Sequence, residues 1–392
     1  MQPRKIKDGV FWLGAVDWDR RLFDSLVELP DGTSYNAYLV RGRKKTALLD
    51  TVDPRMTGGF MEQLESVKEL DYVISHHAEQ DHTGSIPAVL EKYKNAAVVC
   101  STKAKSMLLD LLDLPEERIT TVNDGDTLDL GGKTLRFLYT PWVHWPETMV
   151  TYLREDRILF SCDFFGSHLA TSELYATQEA RVYAGAKMYY AEIMMPFRAM
   201  IQKNLEKIKT YEFDLIAPSH GPIYDKPQAI LAEYHQWVDE MPRNIVVVPY
   251  VSMHDSTKKM VEHLVGGLTE REITVLQFEL TSTDIGKLAT ALVDAATVVF
   301  GTPVVLAGPH PQVVYAAYLA NALRPKLKFA SIIGSYGWGS KLTEQIGGLI
   351  PNLKVEILDP VYCKGLPRAA DFAALDRLAD AIAQKHRDLQ LR

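Results

Sequence analysis

Residues 70–85, LDYVISHHAEQDHTGS, decide how this 392-residue chain is read. The apolar run at 70–76 has the length and composition of a buried strand, and Thr83-Gly84-Ser85 turn the chain into a helical pattern at 86–93. Between strand and helix stand His77, Glu79, Asp81 and His82, all able to ligate a metal. Alternate residues of an extended loop face one way, so His77, Glu79 and Asp81 are expected to converge, with His82 pointing across to a second centre. A single loop histidine or carboxylate is usually solvated or caps a helix. Two of each, crowded behind one apolar strand, indicate instead a loop that serves two metals. His76 points away from His77 and stays outside the metal set.

The same arrangement recurs further along. His144 follows Leu138-Tyr139-Thr140-Pro141, Asp163 ends the apolar run at 158–161, and His220 ends the run at 215–218. Each strand delivers one ligand to a common edge. The seven side chains carry a charge of about −3. Two divalent metals and one bridging hydroxide would neutralise it, which a dry cavity tolerates far better than net charge.

Composition sets the frame. Hydrophobic residues make up 47% and charged residues 24%, and the length suits two domains. No apolar stretch reaches bilayer length and the start, MQPRKIKDGVFWL, lacks a signal-peptide core, so no membrane association and a cytoplasmic location are expected. A net charge of −7 argues against nucleic acid as the main partner. The three cysteines, Cys100, Cys162 and Cys363, are far apart and encode neither a disulfide framework nor an iron–sulfur site.

The chain divides near Pro242. Before it, strands such as 34–39 and 45–50 alternate with helices such as 58–69 and 103–112, and a helical run closes the segment at 227–240. After it, strands at 245–250, 273–279, 297–301, 328–334 and 354–358 alternate with helices at 257–268, 284–295, 313–322, 341–349 and 369–386. That order predicts a doubly wound, five-stranded parallel sheet, whose ligands bind along the carboxyl edge. Ser252, Met253, His254, Asp255, Ser256 and Thr257 lie at that edge, where hydroxyls and a helix start suit a phosphate; read alone, they also suit a plain helix cap. No GxGxxG is present, which disfavours a dinucleotide. Loops carrying Thr302, Pro303, Val304 and Val305, and Ser335, Tyr336, Gly337 and Trp338, follow two later strands at the same edge.

The pattern HxExDH, with His144 in VHWPET, Asp163 in SCDFFGSH and His220 in PSHGPIY, resembles the flavodiiron proteins over essentially the whole chain. The resemblance implies an α/β and α+β molecule: a metallo-β-lactamase-like αββα sandwich at 1–243 and a flavodoxin-like FMN-binding domain at 244–392. It implies two iron ions, one held by His77, Glu79, His144 and Asp163, the other by Asp81, His82, Asp163 and His220, with Asp163 bridging. Ser252 to Thr257 resemble the family's FMN phosphate loop. The segment at 334–338 resembles its GSYGW motif, where an aromatic lies by the isoalloxazine. His168 is a candidate proton donor near the metals and Tyr190 a candidate pocket residue, with packing the plain alternative for both. Two positions depart from the family pattern: Val305 is apolar where many relatives carry Asn, and Asp24 stands where an FHGY-like segment carries His.

The implied activity is reduction of dioxygen to water or of nitric oxide to nitrous oxide. Its electrons are expected from a separate donor, rubredoxin or a reduced deazaflavin, and its assembly is expected to be a head-to-tail homodimer or a dimer of dimers. The alternative is a dinuclear zinc hydrolase fused to a flavodoxin-like domain. Hydrolases of this fold usually carry HxHxDH, and Glu79 in place of the second histidine hardens the site toward iron. A flavin-binding electron carrier with an idle metal domain is a third reading, disfavoured because all seven ligand positions are filled.

Overall fold

A computed structural model describes residues 2–391. The chain forms two compact units, the first running through Tyr190 and resuming at Phe197–Val238, the second made of Ala191–Pro196 and the residues from Asp239 onward.

In the first unit one sheet holds β1 (Arg4–Lys7), β2 (Val10–Asp17), β3 (Thr33–Arg41), β4 (Thr46–Leu49), β5 (Tyr72–Ser75), β6 (Ala97–Ser101) and β7 (Ile119–Val122), lying side by side in chain order. Pairing is antiparallel through β4 and parallel from β4 to β7. The second sheet holds β8 (Thr127–Asp129), β9 (Thr134–Tyr139), β10 (Met149–Leu153), β11 (Ile158–Cys162) and β12 (Leu215–Pro218), antiparallel except for β11 with β12. Strand periodicity sorts the core. Tyr38 and Val40 of β3 join Trp12, Phe137, Leu153 and Phe160 between the sheets, while Ala37 and Leu39 face outward into a cluster with Phe60, Ile86, Val89 and Leu108. Three of those partners come from helices α1 (Thr57–Gln63) and α2 (Ile86–Lys92), and Leu108 comes from α3 (Thr102–Leu111). On α4 (Glu179–Tyr189), Val182, Ala186 and Tyr189 form the buried face.

The second unit is built on β13 (Arg243–Tyr250), β14 (Thr274–Glu279), β15 (Ala295–Val305), β16 (Phe329–Tyr336), β17 (Glu356–Ile357) and β18 (Val361–Lys364). The order is β14-β13-β15-β16, with β17 and β18 both on the far side of β16, and every one of these pairings is parallel. The fifth strand expected at 354–358 is therefore broken in two. β15 also runs past the expected end at Gly301 to Val305, then turns through Leu306 and Ala307, both at positive φ, and pairs back through Gly308–Pro309. Helices α5 (Ser256–Thr269), α6 (Ile285–Leu292), α7 (Pro311–Leu323) and α8 (Ala369–Asp388) cover the two faces of this sheet through separate apolar clusters. Among the described residues no helix is long and apolar enough to cross a membrane.

Candidate metal centre

The ligand candidates arrive at strand ends of both sheets. His77 follows β5, Asp163 follows β11, His220 follows β12, and His144 lies in the connection from β9 to β10. His77, Glu79, His144 and Asp163 form one group of close donor atoms; Asp81, His82 and His220 form a second. In the first, His77 Nε2 lies 2.9 Å from Glu79 Oε2 and 3.6 Å from Asp163 Oδ2, and His144 Nε2 lies 3.2 and 3.5 Å from the same oxygens. In the second, His82 Nε2 lies 3.4 Å from Asp81 Oδ1 and 3.1 Å from Asp163 Oδ1, and His220 Nε2 lies 3.2 Å from Asp81 Oδ2 and 3.3 Å from Asp163 Oδ1. The two oxygens of Asp163 thus face different groups.

Asp81 does not join His77 and Glu79, because Gln80–Thr83 is a helical turn rather than extended chain. A helical residue advances about 100°, so Asp81 and His82 leave the turn toward the second group together. His76 stays outside both: its Nδ1 lies 2.7 Å from Asp50 Oδ2 and its Nε2 2.7 Å from the Thr151 hydroxyl.

These residues fit a pair of metal ions. Both oxygens of Asp81 and of Asp163 are buried with no hydrogen-bond partner in the structure, an arrangement too costly to persist unless a cation completes it. Donors about 2.1 Å from a common ion in tetrahedral array stand roughly 3.4 Å apart, close to the separations above. The field points the same way. Burial pulls the His77 imidazole down, but hydrogen bonds to Glu147 and Glu79 push it up to about 10. His82 and His144 go against their burial to about 9, and His220 to about 10, through the neighbouring carboxylates. Burial would raise Glu79, yet His144 and His77 hold it well below the usual carboxylate range. The cluster calls for positive charge, which bound metal supplies.

The rear nitrogens are also committed. His77 Nδ1 donates to Glu147 Oε1 at 2.6 Å, and His220 Nδ1 donates to the Ser34 carbonyl at 2.6 Å, which leaves each Nε2 lone pair free for metal. Glu147 was not singled out from the sequence, although it lies in the VHWPET segment; an acid beside a ligand-bearing strand end is the signal that marks it. Tyr189 was missed as well. Burial first, then the charges of Asp163 and Asp81, push its phenol well above the ordinary range, so it holds its proton beside Asp163. Its neighbour Tyr190 packs between Tyr234 and Trp237 and donates to the Trp237 carbonyl. The 182, 186, 189 spacing of the buried helix face is what distinguishes the two tyrosines.

His168 lies against Phe23, Tyr189 and His220, with Nδ1 2.9 Å from the Thr33 hydroxyl and Nε2 buried without a partner in the structure. Burial and then the His220 charge hold it well below its ordinary range, so it is a neutral imidazole here. Asp24 sits with Ser25 at the tip of a hairpin formed by Leu22–Phe23 and Val27–Glu28, both tip residues at positive φ. Burial, then the charges of Glu79 and Asp81, raise its carboxyl to about 6. A pocket of about 470 Å³ lined by Arg20, Asp24, Glu79, Asp81 and Trp145, among others, opens at this point.

In the second unit the expected cofactor residues stand together at the carboxyl edge. Ser252 Oγ accepts from the Lys258 backbone N–H at 3.2 Å, Asp255 precedes α5 at positive φ, and the hydroxyls of Thr257 and Ser335 are 3.1 Å apart. Met253 is half exposed, and His254 lies in the same turn. A Cβ on Gly334 would lie 2.3 Å from the Thr302 carbonyl, so only glycine lets β15 and β16 close here, whereas Gly337 has open space. Thr302, Pro303, Val304 and Val305 lie within β15 rather than in a loop. Trp338 is 93% exposed beside Tyr336, a flat apolar surface suited to a ring system.

Residues 33–221 match the family model described as ODP family beta lactamase. The chain is 34% identical to a nitric oxide reductase of Moorella thermoacetica, covering 99% of this chain and 100% of that protein. Among solved structures it is similar to rubredoxin oxygen:oxidoreductase from Desulfovibrio gigas, with a TM-score of 0.94, 30% identity and full coverage of both chains. It is equally similar in fold to the flavodiiron protein from Giardia intestinalis, with a TM-score of 0.94 and 28% identity over 99% of this chain and 98% of that one.

Proposed function

Because the chain belongs to the flavodiiron protein family, we propose that it reduces dioxygen to water, nitric oxide to nitrous oxide, or both. The observation that carries the reading is the unpartnered, buried Asp163 carboxylate, whose two oxygens face two sets of His and carboxylate donors. Two iron ions held there would supply the redox chemistry of gas reduction, and FMN bound in the second unit would supply further electrons.

The chain's own residues prepare the site. His77, Glu79 and His144 would hold one ion, Asp81, His82 and His220 the other, and Asp163 would offer one oxygen to each. Glu79 in place of a histidine supports iron over zinc and weakens the hydrolase alternative. Tyr189 holds its proton beside Asp163, and His168, neutral, walls the cavity with Phe23. At the flavin edge, Ser252, Ser256 and Thr257 would receive the phosphate at the start of α5, while Tyr336, Gly337 and Trp338 would cover the ring. The metal domain is proposed at 1–243 and the FMN domain at 244–392, close to the division between Val238 and Asp239, with Ala191–Pro196 grouping instead with the second unit.

Electrons would come from a separate carrier, rubredoxin or a reduced deazaflavin, and pass within a head-to-tail homodimer or a dimer of dimers in the cytoplasm. Stopped-flow mixing of fully reduced protein with each gas tests the reading. Rapid flavin oxidation yielding water or nitrous oxide is expected; oxidation at the rate of free flavin with peroxide accumulating would overturn it. Sedimentation under assay conditions tests the assembly, since a fully active monomer excludes transfer between copies.

A further inference from the structure

We propose that Glu147 makes the two metal positions unequal, so that the iron held by His77, Glu79 and His144 is the harder of the two to reduce. The inference rests on the diiron reading above. By ligand type the donor sets give no reason for such a difference. Each consists of two imidazoles through Nε2, one carboxylate of its own and one oxygen of Asp163. A difference between the two ions can come from behind the ligands.

Behind His77 stands a buried carboxylate. Glu147 Oε1 accepts from His77 Nδ1 at 2.6 Å and from the Ala78 backbone N–H at 3.0 Å, and its second oxygen is buried with no partner in the structure. Glu147 is 2% exposed and His77 fully buried, so water does little to screen the charge. A carboxylate bonded to the rear of an imidazole makes the facing nitrogen a stronger donor, which favours the more oxidised ion. Behind His220 the acceptor is the neutral Ser34 carbonyl. Asp50 carries charge on the His82 side, but its oxygens take the His76 backbone N–H at 2.9 Å, the His76 ring at 2.7 Å and the Ser219 hydroxyl at 3.3 Å. Its described bonds therefore go to His76 and Ser219, neither of which is in the donor sets. Glu147 is accordingly a positioning residue that also biases one of two otherwise matched sites: the first electron goes to the Asp81, His82 and His220 position, the second to the His77 position.

Potentiometric titration of the iron-loaded, full-length protein, followed by the mixed-valence EPR signal, tests this. Glu147→Gln keeps the acceptor and the shape and removes the charge. It should raise the second reduction step more than the first, lowering the comproportionation constant about tenfold, on the scale of other outer-shell changes, and the peak mixed-valence signal with it. Glu147→Asp, which keeps the charge at a longer reach, should fall between wild type and Glu147→Gln, and it decides alone if Glu147→Gln does not retain two irons. A gap between the steps that is unchanged or wider, or an aspartate variant that narrows it as much as glutamine does, overturns the proposal. Wild-type protein whose two irons are reduced in one unresolved two-electron step overturns it as well, whereas wild-type protein that does not hold two irons would instead refute the diiron reading.

Discussion

The metal centre and the flavin edge are built on opposite plans. Around the candidate metal centre His77, Asp81, His82, Asp163 and His220 are buried and Glu79 and His144 partly so, and both His77 and His220 are tied from behind to a fixed acceptor. At the flavin edge the prominent groups are exposed, Trp338 and Leu306 each by 93%, and the backbone rather than the side chains shapes the surface. Rear hydrogen bonds hold the His77 and His220 rings in place before ions arrive, because turning either ring would leave its acceptor unpaired in a dry interior. An exposed edge of turns acquires its final shape from the ring that covers it. The first should respond to substitution in an all-or-none way, and the second in increments.

Removing the shared ligand is the strongest test of that contrast. Asp163→Ala should abolish paired iron binding and gas reduction, measured by iron content and by gas consumption, while FMN remains bound. Retention of both irons would break the comparison. Gly334→Ala, which forces a Cβ to within 2.3 Å of the Thr302 carbonyl, should cost about 1–3 kcal/mol in the second unit, read by denaturant unfolding, without changing iron content. Trp338→Ala should weaken FMN binding by about 1 kcal/mol, roughly fivefold in Kd by fluorescence titration, and leave iron loading intact.

The smallest effect is a pH dependence confined to the second unit. His386 is buried with Nε2 2.7 Å from the Thr297 hydroxyl and Nδ1 2.8 Å from Asn244 Oδ1, and burial lowers it to about 4. The unfolded chain binds this proton near pH 6.5 and the folded chain only near 4. The contribution is present in full above pH 6.5 and is lost as pH falls toward 4. His386→Gln should flatten this part of the melting profile; an unaltered profile would place the acid sensitivity elsewhere.

Much of this was legible before any coordinates. Short apolar runs ending in His77, Asp163 and His220 show both the strand and the ligand at its end, because strand period and burial are local properties of a few residues. The alternation of strands and helices after residue 242 likewise reads directly as a parallel sheet. Other features were not legible. Loop alternation by itself sets Asp81 with His77 and Glu79, and only the family resemblance puts it in the second group, because a helical turn of four residues leaves almost no periodic trace. Tyr189 lies beside His220 and Tyr190 against Tyr234 and Trp237 because the phase of α4 is set by what it packs against. The fifth strand of the second unit split into β17 and β18, since pairing at a sheet edge depends on partners distant in sequence.

The sequence by itself determined which chemistry is available: hard oxygen and imidazole donors in numbers that suit two irons, and a carboxyl edge furnished with hydroxyls, glycines and an aromatic. Those are properties of residue type and local pattern. Only the tertiary structure decided which oxygen of Asp163 faces which set, and that a buried glutamate backs one imidazole while a neutral carbonyl backs another. Such differences arise from distances across 70 and 186 positions of chain, between His77 and Glu147 and between Ser34 and His220, and no local rule of sequence controls a contact made over that separation.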